Sequence, residues 1–236
     1  MARKTFEQEM QEIKDDILLL GSMVEDIVME AVRALKDYDL DGSRRVLSKD
    51  LLINRKHYEV ETSIIVLMAT QGPIARDLRT LAACLGICTE LERMGDYAKG
   101  IAIINFRSGG LSMPFLLREI NSMADKALDM LHRALTTFAE DDATTAKTII
   151  EYDDVIDKCY TNLYSDAVES VIGDPKNIER VNYVIWVAHN LERLGDRVTN
   201  ICERVFYMST GEYLEERVTT PEFARLNYES YRVPHN

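Results

Sequence analysis

LERMGDYAKGI (residues 91–101) returns one hundred residues later as LERLGDRVTNI (residues 191–201). Leu, Glu, Arg, Gly, Asp and the final Ile are identical. A mid-helix glycine costs ~1 kcal/mol relative to alanine, and two acids four residues apart repel on one helical face. Writing that costly combination twice marks a structural unit. Further identities at the same offset extend outward: Met23 with Met123, Arg33-Ala34-Leu35 with Arg133-Ala134-Leu135, and Asp41 with Asp141.

The frame around the motif reads as helical. Pro73, Pro114 and Pro175 stand where a helix can begin. The segments between them lack proline and show no sustained period-two alternation. Helices are predicted over residues 5–38, 43–69, 74–106, 115–140, 143–171 and 175–208. The first carries the seam Phe6, Met10, Ile13, Ile17, Leu20, Val24, Ile27, Ala31, Ala34, Tyr38. Its alternating steps of four and three give the 3.5-residue period of helices packed at shallow angles. DLDGS (39–43) and TQGP (70–73) read as turns, and RSGGLSMP (107–114) as the linker between halves. The expected fold is all-α: two tandem three-helix bundles related by an internal repeat, over residues 1–110 and 111–211. Residues 212–236 form a C-terminal tail, either an extended arm or disordered.

Composition excludes several functions. The net charge of −12 and the lack of a basic stripe argue against nucleic acid. No apolar run approaches the ~20 residues needed to span a bilayer. MARKTFEQEM at the N-terminus has no apolar core after its basic residues, so no signal peptide is expected. Cys84, Cys88, Cys159 and Cys202 lie in helical, partly apolar segments and read as small buried hydrophobes. There is no Gly-rich phosphate loop, no nucleophile elbow and no Glu-x-x-His pair. No catalytic residue is assigned.

Acids stand where core residues are expected. The third helix has the line Leu78, Leu81, Leu85, Cys88, Glu92, Gly95, Lys99, Ala102, Phe106. The sixth has Ile178, Val181, Ile185, Ala188, Glu192, Gly195, Thr199, Cys202, Phe206. A second apolar line through Leu91, Met94, Ala98 and Ile101 runs beside the first, so the glutamates fall at the edge of the interior. Asp50 and Asp153 hold matching seam positions on the second and fifth helices, with Asn54 and Asp157 four residues on. Each repeat thus offers two oxygen-bearing pairs: Asp50/Asn54 with Glu92/Asp96, and Asp153/Asp157 with Glu192/Asp196. Partly buried like charges need compensation, and a multivalent cation would supply it. The glycine between Glu and Asp is expected to leave open volume. Two alternatives stand beside this. Arg76, Arg79, Arg93, Arg193 or Arg197 could pair with the glutamates, and the glycines could serve close helix approach. His57 and His189 could contribute ligands or be structural.

With LERxGD doubled inside two three-helix repeats, the chain resembles the PhoU family of phosphate-signalling proteins over nearly all of residues 5–210. The residues carrying the likeness are Asp50-x-x-Ile53-Asn54, PIARDLR (73–79), LERMGD (91–96), Asp153-x-x-Ile156-Asp157 and LERLGDRVTNICE (191–203). The resemblance implies a cytoplasmic, usually homodimeric, non-enzymatic negative regulator of the phosphate-starvation response. Its partners would be the phosphate ABC transporter, through its ATPase subunit, and a phosphate-sensing histidine kinase. It also implies multinuclear iron or zinc clusters on Glu92/Asp96 and Glu192/Asp196, with Asp50/Asn54 and Asp153/Asp157 as partners. Asn54, Gly100 in place of Asn200, and Ile103 in place of Glu203 weaken the first site, so unequal metal affinity is expected. The alternatives are a carboxylate-bridged, metal-dependent helical enzyme and a metal-free scaffold.

Overall fold

Each predicted helix forms, with ends moved by a few residues, in the computed structural model, which describes residues 2–111 and 113–214. In chain order they are α1 (Ala2–Asp37), α2 (Leu40–Gln71), α3 (Ala75–Ser108), α4 (Pro114–Glu140), α5 (Ala143–Gly173) and α6 (Ile178–Thr210), with a 3-10 turn over Pro175–Asn177 before α6. The tail expected over 212–236 lies outside the described residues from 215 onward.

α1, α2 and α3 pack on one another, as do α4, α5 and α6. The two sets join through α3 against α6 and α1 against α4, and their buried apolar side chains form one continuous core. This central position changes the reading of α3. The predicted seam residue Leu78 is 46% exposed, whereas Cys84, Ile87, Leu91, Met94, Ala98 and Ile101 are buried. A helix wedged between neighbours buries more than one stripe. The line set beside the first in the sequence is therefore the middle of the core.

The turns are tighter than expected. Only Tyr38 and Asp39 separate α1 from α2, and the Asp39 carboxylate accepts from Gly42 N at 2.9 Å. Tyr38 and Asp141 take left-handed φ values of 51° and 58° at the two α-hairpin bends. Asp39 N donates to Ala34 O and Asp142 N to Thr137 O, so these bends correspond at an offset of 103 residues, as do Asp50 and Asp153. The identities at offset one hundred in α1 and α4, and Asp41 with Asp141, are thus not structural equivalents: Asp141 occupies the place of Tyr38. Three residues fewer lie between Asp153 and Glu192 than between Asp50 and Glu92, which restores the offset of one hundred in α3 and α6.

Asn105, wholly buried on α3, fixes the α1–α2 bend. Its Nδ2 faces Ala34 O at 3.0 Å, Asp39 O at 3.3 Å and Ser43 Oγ at 2.9 Å. Two carbonyl acceptors decide which end of this amide is nitrogen. The second repeat uses other means: Ser209 Oγ donates to Asp141 O at 3.2 Å, and Arg76 pairs with Asp141 Oδ2 at 2.8 Å. Three of the cysteines, Cys84, Cys88 and Cys202, are buried with thiols pushed up to about 12 by burial; Cys159 is half-buried. All four are free thiols. Among the described residues no helix is long and apolar enough to cross a membrane.

Replacing Asn105 by Ala removes the amide that ties Ala34 O, Asp39 O and Ser43 Oγ together at the bend, at a cost of about 1–2 kcal/mol. Thermal melts should show a midpoint lowered by ~2–4 °C per kcal/mol. An unchanged midpoint would mean that the bend is held elsewhere.

Candidate metal centre

Both carboxylate sets assemble between neighbouring helices, α2 with α3 and α5 with α6. The contact at the glycines brings them together. A Cβ on Gly195 would stand 2.9 Å from both Asp153 Oδ1 and Ile156 Cδ1. On Gly95 it would stand 3.2 Å from Ile53 Cγ2 and 3.8 Å from Asp50 Oδ1. The expected open volume is therefore absent. The glycines let α2 and α5 come close, and the neighbouring side chains fill the space.

Of the five arginines considered as partners for the glutamates, three pair elsewhere, and neither Arg79 nor Arg193 forms an ion pair with Glu92 or Glu192 among the described residues. Arg197 Nη1 donates to Glu90 Oε2 at 3.2 Å, Arg93 lies 3.8 Å from Glu90, and Arg76 is held by Asp141. Glu192 Oε2 has His189 Nδ1 at 3.3 Å but is buried without a well-formed hydrogen bond. Asp153 Oδ1 is likewise buried and unsatisfied. In the first repeat the same holds for Asp50 Oδ1, Asn54 Oδ1 and His57 Nε2. Buried polar atoms normally find a partner. Here the unsatisfied ones concentrate on the residues that the repeat pattern singled out.

Electrostatics separates the repeats. Burial, then Asp157, Asp196 and Glu192, push the Asp153 carboxyl up to about 7. Burial and Asp196 raise Glu192, and burial raises Asp157, with Asp154 adding to it. Burial also raises Asp196, although Arg193 and Arg197 moderate it from a distance. Among the described residues no lysine or arginine forms an ion pair with any of these four. A groove of ≈ 560 Å³ opens beside them, lined in part by Asp153, Asp154, Asp157, Thr199, Glu203 and Glu212. In the first repeat burial, Asp96 and Asp50 raise Glu92. There, however, Lys99 Nζ lies 2.8 Å from Asp50 Oδ2 and 3.3 Å from Asp96 Oδ1. The residue-type pattern held Lys99 on the core-facing line, but only the fold shows where its ammonium ends.

As the side chains stand, no three His, Cys, Asp or Glu groups among the described residues are gathered tightly enough to hold one metal ion. Donor chemistry does fit such an ion. The second repeat collects four carboxylates, two of them (Asp153 and Glu192) with a buried, unsatisfied oxygen and none in an ion pair with lysine or arginine among the described residues, and carboxylate and imidazole donors suit iron and zinc. Asp153, Asp157, Glu192 and Asp196 would hold it, with His189 at the edge.

A family model described as the PhoU domain matches residues 17–104 and 120–205. A PhoU homolog of the phosphate-specific transport system from Clostridium acetobutylicum is 32% identical over 91% of this chain and 99% of its own length. One from Rhizobium meliloti is 33% identical over 87% of each chain. The crystal structure of PhoU from Pseudomonas aeruginosa superposes with a TM-score of 0.82 at 30% identity, covering 88% of this chain and all of that one. These matches and the doubled three-helix unit define a two-repeat, all-helical protein. The chain belongs to the PhoU family.

Two predictions follow from the geometry. Helix propensity alone would have Gly195→Ala stabilise by ~1 kcal/mol. The 2.9 Å contacts reverse the sign, because overpacking costs about 1–3 kcal/mol. Gly195→Ala should therefore lower the melting midpoint, and by more than Gly95→Ala; a rise would refute the close-contact account. The second concerns pH. A carboxyl raised above its unfolded value of ~3.9 binds its proton more tightly when folded. Its penalty on stability is absent below about pH 4 and complete above about 7. In chelator-treated protein, Asp153→Asn should raise the midpoint at pH 8, by about 2 °C or more, and leave it unchanged at pH 4. Equal effects at both pH values would count against it.

Proposed function

We propose that this chain is a non-enzymatic regulator of phosphate uptake and of the phosphate-starvation response. It acts as an adaptor, in the cytoplasm and as a homodimer, between the phosphate ABC transporter's ATPase subunit and the sensor histidine kinase. The observation that carries this reading is correspondence over the full two-repeat unit with relatives named as phosphate-specific transport system accessory proteins. A likeness confined to one repeat would support only a helical module. A transition-metal cluster of iron or zinc on the carboxylates belongs to the same proposal. It is supported by the uncompensated charge of the second repeat.

Deletion of the gene tests the regulatory role. Phosphate-starvation promoters should become active in phosphate-rich medium and fall silent again when the wild-type chain is restored. Continued silence in the deletion strain, with any paralogue also removed, would end the adaptor reading. Elemental analysis of protein purified without chelator tests the metal. Iron or zinc should be retained by the wild type and lost from Asp153→Asn/Glu192→Gln. Turnover of oxygen or peroxide by the metallated protein would instead favour a carboxylate-bridged enzyme.

A further inference from the structure

The two carboxylate sets are built alike and neutralised differently. Asp50 is wholly buried on α2, yet neither of its oxygens has a well-formed hydrogen bond. Among the described residues its one ion-pair partner is the Lys99 ammonium, 2.8 Å from Oδ2 and off the line of a good hydrogen bond. The same ammonium lies 3.3 Å from Asp96 Oδ1 on α3. It therefore spans the two helices between the oxygens that a cation would bridge. Lys99 is 36% exposed, so its stem enters from the rim and delivers only the charged end. In the second repeat Thr199 stands at the corresponding position. Its hydroxyl donates to the backbone oxygen of Asp196 at 2.7 Å and brings no charge to Asp153.

We propose that Lys99 is a built-in cation that holds the place of a metal ion in the first repeat, so that the chain takes metal in its second repeat alone. The proposal rests on the metal reading above and narrows it. A lysine ammonium and a divalent ion repel strongly at contact distance, and partial burial sharpens the repulsion. The buried aspartate that would otherwise destabilise the fold is neutralised in every molecule, independent of metal supply. The first repeat thus becomes a constitutive structural unit. The second stays dependent on what it binds. This division explains why one motif is kept in both halves while its surroundings differ. It also goes beyond the sequence argument from Asn54, Gly100 and Ile103, which weakens the first site by removing ligands. Lys99 occupies it.

The test is equilibrium dialysis of the full chain, stripped with chelator, against Zn²⁺ and separately Fe²⁺ under anaerobic conditions. Wild-type binding should be abolished by Asp153→Asn/Glu192→Gln and unaffected by Asp50→Asn/Glu92→Gln. Lys99→Met should add metal bound per chain, and Asp50→Asn in that background should remove the addition; Lys99→Arg, which keeps the charge, should add none. The reciprocal variant Thr199→Lys should weaken second-repeat binding by about tenfold or more, which keeps the test open should Lys99→Met fold poorly. Loss of wild-type metal in Asp50→Asn/Glu92→Gln would overturn the proposal, because the lysine would then yield to metal. So would a folded Lys99→Met that gains nothing, or a Thr199→Lys that binds as the wild type does. If the wild type binds no metal at all, the metal reading itself falls. The role of Lys99 then stands on a gain by Lys99→Met and fails without one.

Discussion

The structure depends on two places where a helix backbone is bare enough for its neighbour to press against it. At Gly95 and Gly195, α3 and α6 let Ile53 with Asp50 and Ile156 with Asp153 approach within van der Waals distance or closer. The isoleucine of each pair completes the core. The aspartate three residues before it is then carried inward, wholly buried at Asp50 and half-buried at Asp153, because residues three apart share a helical face. Burying the apolar side chain and burying the acid are one event. Unsatisfied oxygens follow from it, as does the raised proton affinity of the second repeat.

The paired architecture turns this local constraint into an electrostatic difference between the repeats. α3 and α6 form the spine, with one carboxylate set between α2 and α3 and the other between α5 and α6, and none of the acids that raise one set belongs to the other. Each must solve its electrostatic problem from its own surroundings. The first does so with an ion pair to a lysine of its own chain. The second has hydroxyl and carboxylate neighbours and a groove open to solvent. The proposed assignment gives a fixed cation to one half and an exchangeable one to the other.

Much of this was legible in the sequence because it is written in period and spacing. Six helices, the doubled unit, and the placing of Asp50, Asp153, Glu92 and Glu192 all follow from counting residues along faces. The misreadings have physical causes. A seam argument assigns one buried stripe per helix, and α3, wedged between partners, buries more. Identity at a fixed offset suggested equivalences in α1 and α4 that the bends at Tyr38 and Asp141 displace by three residues. Glycine was expected to leave a gap, and the neighbouring helix filled it. Asn105 gave no signal, since one polar residue in an apolar run does not say which carbonyls it will meet.

The sequence by itself determined that the chain is helical, that it repeats, and which oxygens stand on core-facing lines, since those depend on short-range periodicity. Tertiary structure decided which of those oxygens are neutralised. Whether an ammonium lies 2.8 Å away or a hydroxyl turns back to its own helix is set by how two helices meet side by side. Coulomb energy depends on that separation and on the burial around it, and neither quantity is encoded in the spacing along one strand of sequence.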